Sequence, residues 1–185
     1  MEWTPHLADQ LDWQWQNALR PRLAGLTDDE YAWEPVPGCW SVRRQGESTA
    51  QHAVGTGEFR FEFAFPAPEP PPVTTIAWRL AHLIVGVFGE RNASHFDGPP
   101  IALRTFEYAG TAKAALTQLD DVYAHWIAAV RGMDDAAMAE PCGPAEGIYQ
   151  DAPLAALVLH INREAIHHGA EVALLRDLYR ARQTD

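Results

Sequence analysis

One stretch limits what this chain can fold into: Leu157-Val-Leu-His160-Ile-Asn-Arg-Glu164-Ala-Ile-His167-His168-Gly-Ala-Glu171-Val-Ala-Leu-Leu175. It holds three of the eight histidines and two carboxylates. On a helix, at about 100° per residue, His160, Glu164, His167, His168 and Glu171 share about 100° of arc. Leu157, Ile161, Val172 and Leu175 overlap that arc, so the ligand-type side chains sit on the face that must be buried. Burying a charge or an imidazole without a partner is costly. A metal ion would satisfy the whole cluster at once.

A helix of this kind needs other helices to bury it, and the chain supplies them. Leu7, Leu11, Trp15, Leu19 and Leu23 recur at helical spacing and predict a first helix over residues 7–23. Pro21 near its end either disturbs the last turn or opens a new one. Thr27 and Glu30 fit a capping box opening a short turn over residues 28–32, which Pro35, Pro37 and Gly38 stop.

A second long helix covers residues 74–93, capped by Thr74 or Thr75 and apolar almost all round, as a central helix should be. One of its faces carries Trp78, His82, Val85, Gly86 and Gly89, and the two glycines leave space beside His82 for a close helix or a ligand. The stripe Ala115, Leu119, Val122, Trp126, Val130 predicts a third helix over residues 111–131, stopped by Gly132. Residues 134–139 suggest one more turn, and residues 141–151 a loop. A fourth long helix runs from Pro153 to about Arg182. The expected class is all-α: a four-helix bundle forming a single domain over residues 1–185.

Residues 34–73 interrupt this pattern. They are rich in Trp and Pro and join helices one and two. Within them Phe59-Arg-Phe-Glu-Phe-Ala-Phe65 alternates with the period of a strand. A lone strand is unstable in water, so the segment must pack on the helices or find a pairing partner. We expect an ordered flap over one end of the helices, pinned by its aromatics.

Composition removes several function classes. The formal charge is −11 and the only lysine is Lys113, so a phosphate track for nucleic acid or binding to an acidic membrane surface is not expected. No run approaches the roughly 20 apolar residues of a membrane span. The N-terminus lacks a signal-peptide pattern. Cys39 and Cys142 are far apart with no CxxC, which suits buried thiols in a reducing cytoplasm.

Two histidines and a carboxylate on neighbouring helices can make a facial metal site with open positions. His82 is the second-helix candidate. Glu164 and His168 are the i,i+4 pair of the fourth helix, and His160 can replace or join Glu164. Glu164-Ala-Ile-His167 is also a Glu-x-x-His motif, but a di-iron bundle needs a second one, which the sequence lacks. Trp78, Gly86 and Trp40 are candidate walls of a substrate pocket, the tryptophans serving equally well as packing. Arg163 and Arg176 read as surface or ion-pair residues.

Two segments carry a family resemblance: Thr74-Thr-Ile-Ala-Trp78-Arg-Leu-Ala-His82 and Asn162-Arg-Glu164-Ala-Ile-His167-His168-Gly-Ala-Glu171. With the order and lengths of the helices, they resemble the DinB-like (DinB/YfiT) superfamily of metal-dependent bacterial proteins. The long Trp/Pro connection looks like that of an actinobacterial branch. The resemblance implies a divalent ion (Zn, Ni, Mn or Fe) held by one histidine of helix two and an i,i+4 pair of helix four. Matched residue by residue, the ligands are His82, Glu164 and His168, with Glu164 standing where the family commonly has histidine. That carboxylate lowers the site's charge by one and favours harder ions such as Mn, Fe or Zn. His160, His167 and Glu171 are then supporting groups or alternative ligands.

Relatives of this kind include maleylpyruvate isomerase and S-transferases that use mycothiol or bacillithiol. The implied partners are a small thiol and an electrophile, and many relatives are homodimers. Two other functions fit the same residues. One is a non-enzymatic, small-ligand or stress-associated bundle with a degenerate metal site; the other is a metal-dependent hydrolase.

Overall fold

The first helix begins at Thr4, three residues before the apolar stripe, because Pro5 sits in its first turn, where no N–H is needed. It runs as α1 (Thr4–Gln14), a π-helical segment (Trp15–Leu19) and the short α2 (Arg20–Arg22). Pro21 opens that last turn, having no N–H to return to the carbonyl four residues back. The computed structural model describes residues 2–182. Met1 and residues 183–185, which the single-domain reading includes, lie outside the described residues.

Capping explains where the other helices start. The Thr27 hydroxyl accepts from Glu30 N while the Glu30 carboxylate accepts from Thr27 N, the reciprocal box that opens α3 (Asp28–Ala32). Thr75, rather than Thr74, caps α4 (Ile76–His82) by accepting from Trp78 N. A second π-helical segment (Leu83–Gly89) follows, and then α5 (Glu90–His95). Thr111 caps α6 (Ala112–Arg131), and Asp134 caps the short α7 (Asp135–Ala139). The predicted loop over residues 141–151 contains a 3-10 turn (Pro144–Tyr149) ahead of α8 (Leu154–Ala181), a helix of 28 residues.

Helix α1 packs on α6 and α8, and α4 with its π-helical continuation also packs on both. The core between them is apolar and aromatic. Leu11, Ile84, Phe88, Leu119, Trp126 and Ile161 are buried, and Trp15 stacks on Tyr123 with ring centroids 3.7 Å apart. No helix of the described residues is long and apolar enough to cross a membrane.

The all-α expectation needs correcting: the chain is mostly helical but carries a three-stranded antiparallel sheet of order β1-β3-β2. The alternating aromatic stretch is its central strand, β3 (Phe59–Phe63), flanked by β1 (Val42–Arg44) and β2 (His52–Val54). Pairing on both edges gives the central strand the hydrogen bonds it would otherwise lack. Phe61, paired with Val42 and Val54, is buried between the rings of Trp78 (4.9 Å) and Tyr108 (5.4 Å). The opposite face holds Glu62, 1% exposed, which accepts from Ser41 N, Arg43 Nε and Ser48 Oγ. Trp40 N donates to Val73 O and Thr75 N donates to Trp40 O, so the long connection is closed at its base, immediately before α4. The sheet thereby becomes a fixed wall beside the first turns of that helix.

Candidate metal centre

His82 ends α4, and Glu164 and His168 lie one turn apart on α8, which packs against it. Each offers a ligand atom, and these atoms all lie within 4.8 Å of one another. The His82 and His168 rings meet edge to face at 4.7 Å, and His82 also stacks on Trp78 at 5.4 Å. Trp78 is itself fixed, since its Nε1 donates to Glu62 O at 2.7 Å. The flap therefore sets the position of His82 through one intervening ring.

The tautomer of His168 follows from its neighbours. Nδ1 lies 2.7 Å from Glu171 Oε2, and Arg79 Nε is 3.1 Å from the same oxygen. A carboxylate can only accept, and its 2.7 Å contact is shorter than the 3.3 Å approach of the Arg79 Nη1 donor to the same nitrogen, so we assign the hydrogen to Nδ1. Nε2 then faces Glu164 Oε2 at 3.4 Å. A ring-nitrogen lone pair and a carboxylate oxygen facing each other at that distance repel unless a cation lies between them.

Electrostatics keep two of the groups in their metal-binding forms. Burial, then the neighbouring His168 and Arg79, push His82 down to about 4 despite Glu164 and Glu171, so it is a neutral imidazole at ordinary pH. Burial opposes ionisation of Glu164, but the Arg163 hydrogen bond and the nearby His160 and His168 outweigh it and hold the carboxyl below its usual range. Gly86 lies one turn beyond His82, and a Cβ there would approach His82 Nδ1 to 3.2 Å. That gap gives the ring room beside a helix otherwise apolar all round.

A second group, His167, His168 and Glu171, also has ligand atoms within 4.8 Å. It shares His168 but uses the Nδ1 side, where Arg79 already neutralises Glu171 and His167 is exposed. The set that includes His82 is the better cation site: the Arg163 guanidinium reaches only Oε1 of Glu164, at 3.3 Å, while Oε2 faces His168 Nε2, and His82 and Glu164 line a cavity of about 470 Å³. Two imidazoles and a carboxylate suit a divalent first-row ion, so the residues fit the group the sequence implies.

Of the other sequence candidates, Trp78, Gly86 and His160 line that cavity. Trp40 does not; its ring lies 6.3 Å from that of Trp78 and its backbone closes the flap. His160 belongs to neither group, standing half exposed 3.7 Å from Glu164. Sequence reasoning missed Arg79, which a position one turn before His82 would have flagged. It also missed Arg91, Phe61 and Phe63, because the cavity wall forms only when the flap folds onto the helix.

A mostly helical chain whose packed helices bring two histidines and a glutamate together beside a cavity has the donor set of a helical protein that could hold a divalent metal. The family model described as the DinB superfamily matches residues 10–172, and the chain belongs to that superfamily. No curated protein and no solved structure matches the chain.

Proposed function

We propose that this protein is a divalent-metal-dependent enzyme that transfers a small thiol to an electrophile. The carrying observation is the convergence of His82, Glu164 and His168, the first two of which line a cavity walled on one side by Phe61, Phe63 and Trp78. These three side chains would hold the ion, with Zn, Ni, Mn and Fe as candidates and the harder ions favoured by Glu164. When bound there, a divalent ion would supply the positive charge that lowers a thiol's pKa and keeps it as a thiolate nucleophile.

The protein's own residues do the rest. Glu171 holds His168 in one tautomer, and Arg79 neutralises Glu171 so that it does not compete for the cation. Phe61, Phe63 and Trp78 exclude water from one side of the cavity. The four long helical stretches read as the bundle of the family, and the Trp/Pro connection as that of an actinobacterial branch. A cytoplasmic setting suits the free thiols of Cys39 and Cys142. A homodimer would use exposed Trp13 on α1 and Leu174 and Leu178 on α8.

The test pairs elemental analysis with transfer of glutathione or mycothiol to 1-chloro-2,4-dinitrobenzene. Metal content and thiol-dependent turnover should both fall in His82→Ala and His168→Ala. If neither changes, the reading fails. Turnover that needs water but no thiol would favour the hydrolase. Absence of stoichiometric metal together with absence of both thiol- and water-dependent turnover would favour the non-enzymatic bundle.

A further inference from the structure

Beside the cavity at His82 lies a second one of about 700 Å³, and the two share Arg91 and His160 as walls. The second lies over α8 beneath the 3-10 turn. Leu157, Ala156, Ala152 and Cys142 give it an apolar floor, and Tyr149, 67% exposed, stands at its rim.

Its charge runs against that of the chain. In a protein of formal charge −11, two of the 14 basic residues, Arg91 and Arg163, line this one hollow. The one carboxylate in the lining, Glu146, is already engaged, lying 2.9 Å from His95 Nε2 and 3.3 Å from Arg91 Nη2, while outside the lining Glu90 lies 3.6 Å from Arg91 Nη1 and Glu164 3.3 Å from Arg163 through one oxygen. Arg91 is locked in place, because its Nη1 donates to Gly86 O at 2.7 Å. Its Nε is buried and has no acceptor among the described residues. A buried charged donor without an acceptor is expensive, and a guanidinium with one edge already fixed is suited to a planar carboxylate.

We infer that the two cavities form one cleft, and that the second binds the carboxylate end of a partly apolar small molecule through Arg91 and Arg163. Its uncharged, reactive end would then extend past His160 toward His82. This assignment rests on the proposed reading of the metal site for the direction in which the substrate lies, but not for the anion subsite itself.

The probe is indole-3-acetate, compared with its uncharged analogue indole-3-ethanol, by amide chemical shifts of the full-length protein. The acetate should bind about tenfold more tightly than the alcohol, the strength of one charge-assisted pair, and should shift the amides of Gly147 and Tyr149. Arg91→Met should abolish that preference. Arg163→Gln, at an exposed position, should reduce it even if Arg91→Met does not fold. Cobalt(II) titration, followed by absorbance, is run in parallel on both variants and on His82→Ala. Carboxylate preference surviving in His82→Ala while cobalt binding is lost would support the subsite independently of the metal. Equal binding of acid and alcohol, or a preference unchanged in both arginine variants, would overturn the inference whatever cobalt does.

Discussion

His168 Nδ1 and Glu171 Oε2 lie 2.7 Å apart, on the side of the ring away from Glu164. One carboxylate thus sets the tautomer and the other meets the free nitrogen. Glu171→Gln should therefore weaken divalent-metal affinity by roughly 10- to 100-fold without abolishing it, the usual cost of losing a group that orients a ligand. His168→Ala should abolish it. Competition titration against a chelating dye measures both.

Gly86 separates the metal site from helix stability. Its missing Cβ would lie 3.2 Å from His82 Nδ1 and 3.3 Å from Cε1, so the ring must yield slightly to an added methyl. Gly86→Ala should leave the metal-free protein as stable or more stable by up to about 1 kcal/mol. The same change should lower metal affinity by about tenfold. Thermal melts and metal titration on one preparation would show the two effects moving in opposite directions.

Away from the site, Arg176 and Glu30 form a buried pair, 1% and 3% exposed, in which Arg176 Nε and Nη2 both lie 3.0 Å from the carboxylate. Arg176→Met leaves Glu30 buried with the outlying Arg180 at 3.3 Å, and should cost about 3–5 kcal/mol in denaturant titration. The double change Glu30→Leu/Arg176→Met should recover much of that.

The same pair predicts a pH dependence. Burial tends to raise the Glu30 carboxyl, but Arg176, the Thr27 N–H and Arg180 outweigh it and hold it below its ordinary range. A carboxyl lower in the folded than the unfolded state stabilises above the unfolded pKa, and the effect fades as pH falls through the folded value. Stability should therefore drop as pH falls below about 4.3, the ordinary glutamate value. The drop should be shallower in Glu30→Leu/Arg176→Met, as melts from pH 7 to 3 would show.

The flap should come loose when Glu62 is removed. That carboxylate collects Ser41 N–H at 2.8 Å, Arg43 Nε at 3.0 Å and Ser48 Oγ at 2.6 Å. Glu62→Ala leaves Arg43 partly buried beside Glu34 alone, and should destabilise the flap by about 3 kcal/mol. Trypsin cleavage at Arg43 and Arg44 should accelerate while helical circular dichroism is retained.

The helices were legible because each exposes a three- and four-residue apolar stripe and begins at a threonine or proline, as at Thr27, Thr75, Thr111 and Pro153. The central strand was legible because Phe59, Phe61 and Phe63 alternate. Its partners were not: β1 and β2 are three residues each, too short to show a period. The π-helical segments leave no mark on spacing either. At the site, His82, Glu164 and His168 were named because Glu164 and His168 lie one turn apart, His82 stands on an apolar helix beside two glycines, and the family resemblance matched all three; the fold brings their ligand atoms within 4.8 Å of one another. Arg79 and Arg91 were not, because arginines on a helix read as solvent-facing until the fold supplies their partners, Glu171 for Arg79 and Glu146 for Arg91. Arg176 and Arg163 were weighed as surface or ion-pair residues, and both are ion-paired, with Glu30 and Glu164.

The central claim is that His82, Glu164 and His168 hold a divalent ion, and metal content with chelator-dependent melting tests it most directly. The protein, prepared without added metal or chelator, should carry about one divalent ion per chain. Removal by a chelator should lower its melting temperature, because a ligand bound only by the native state stabilises it. His82→Ala should carry no ion and melt independently of chelator. A wild-type protein without stoichiometric metal, whose melting is indifferent both to chelator and to added Zn, Mn, Fe or Ni, would contradict the account.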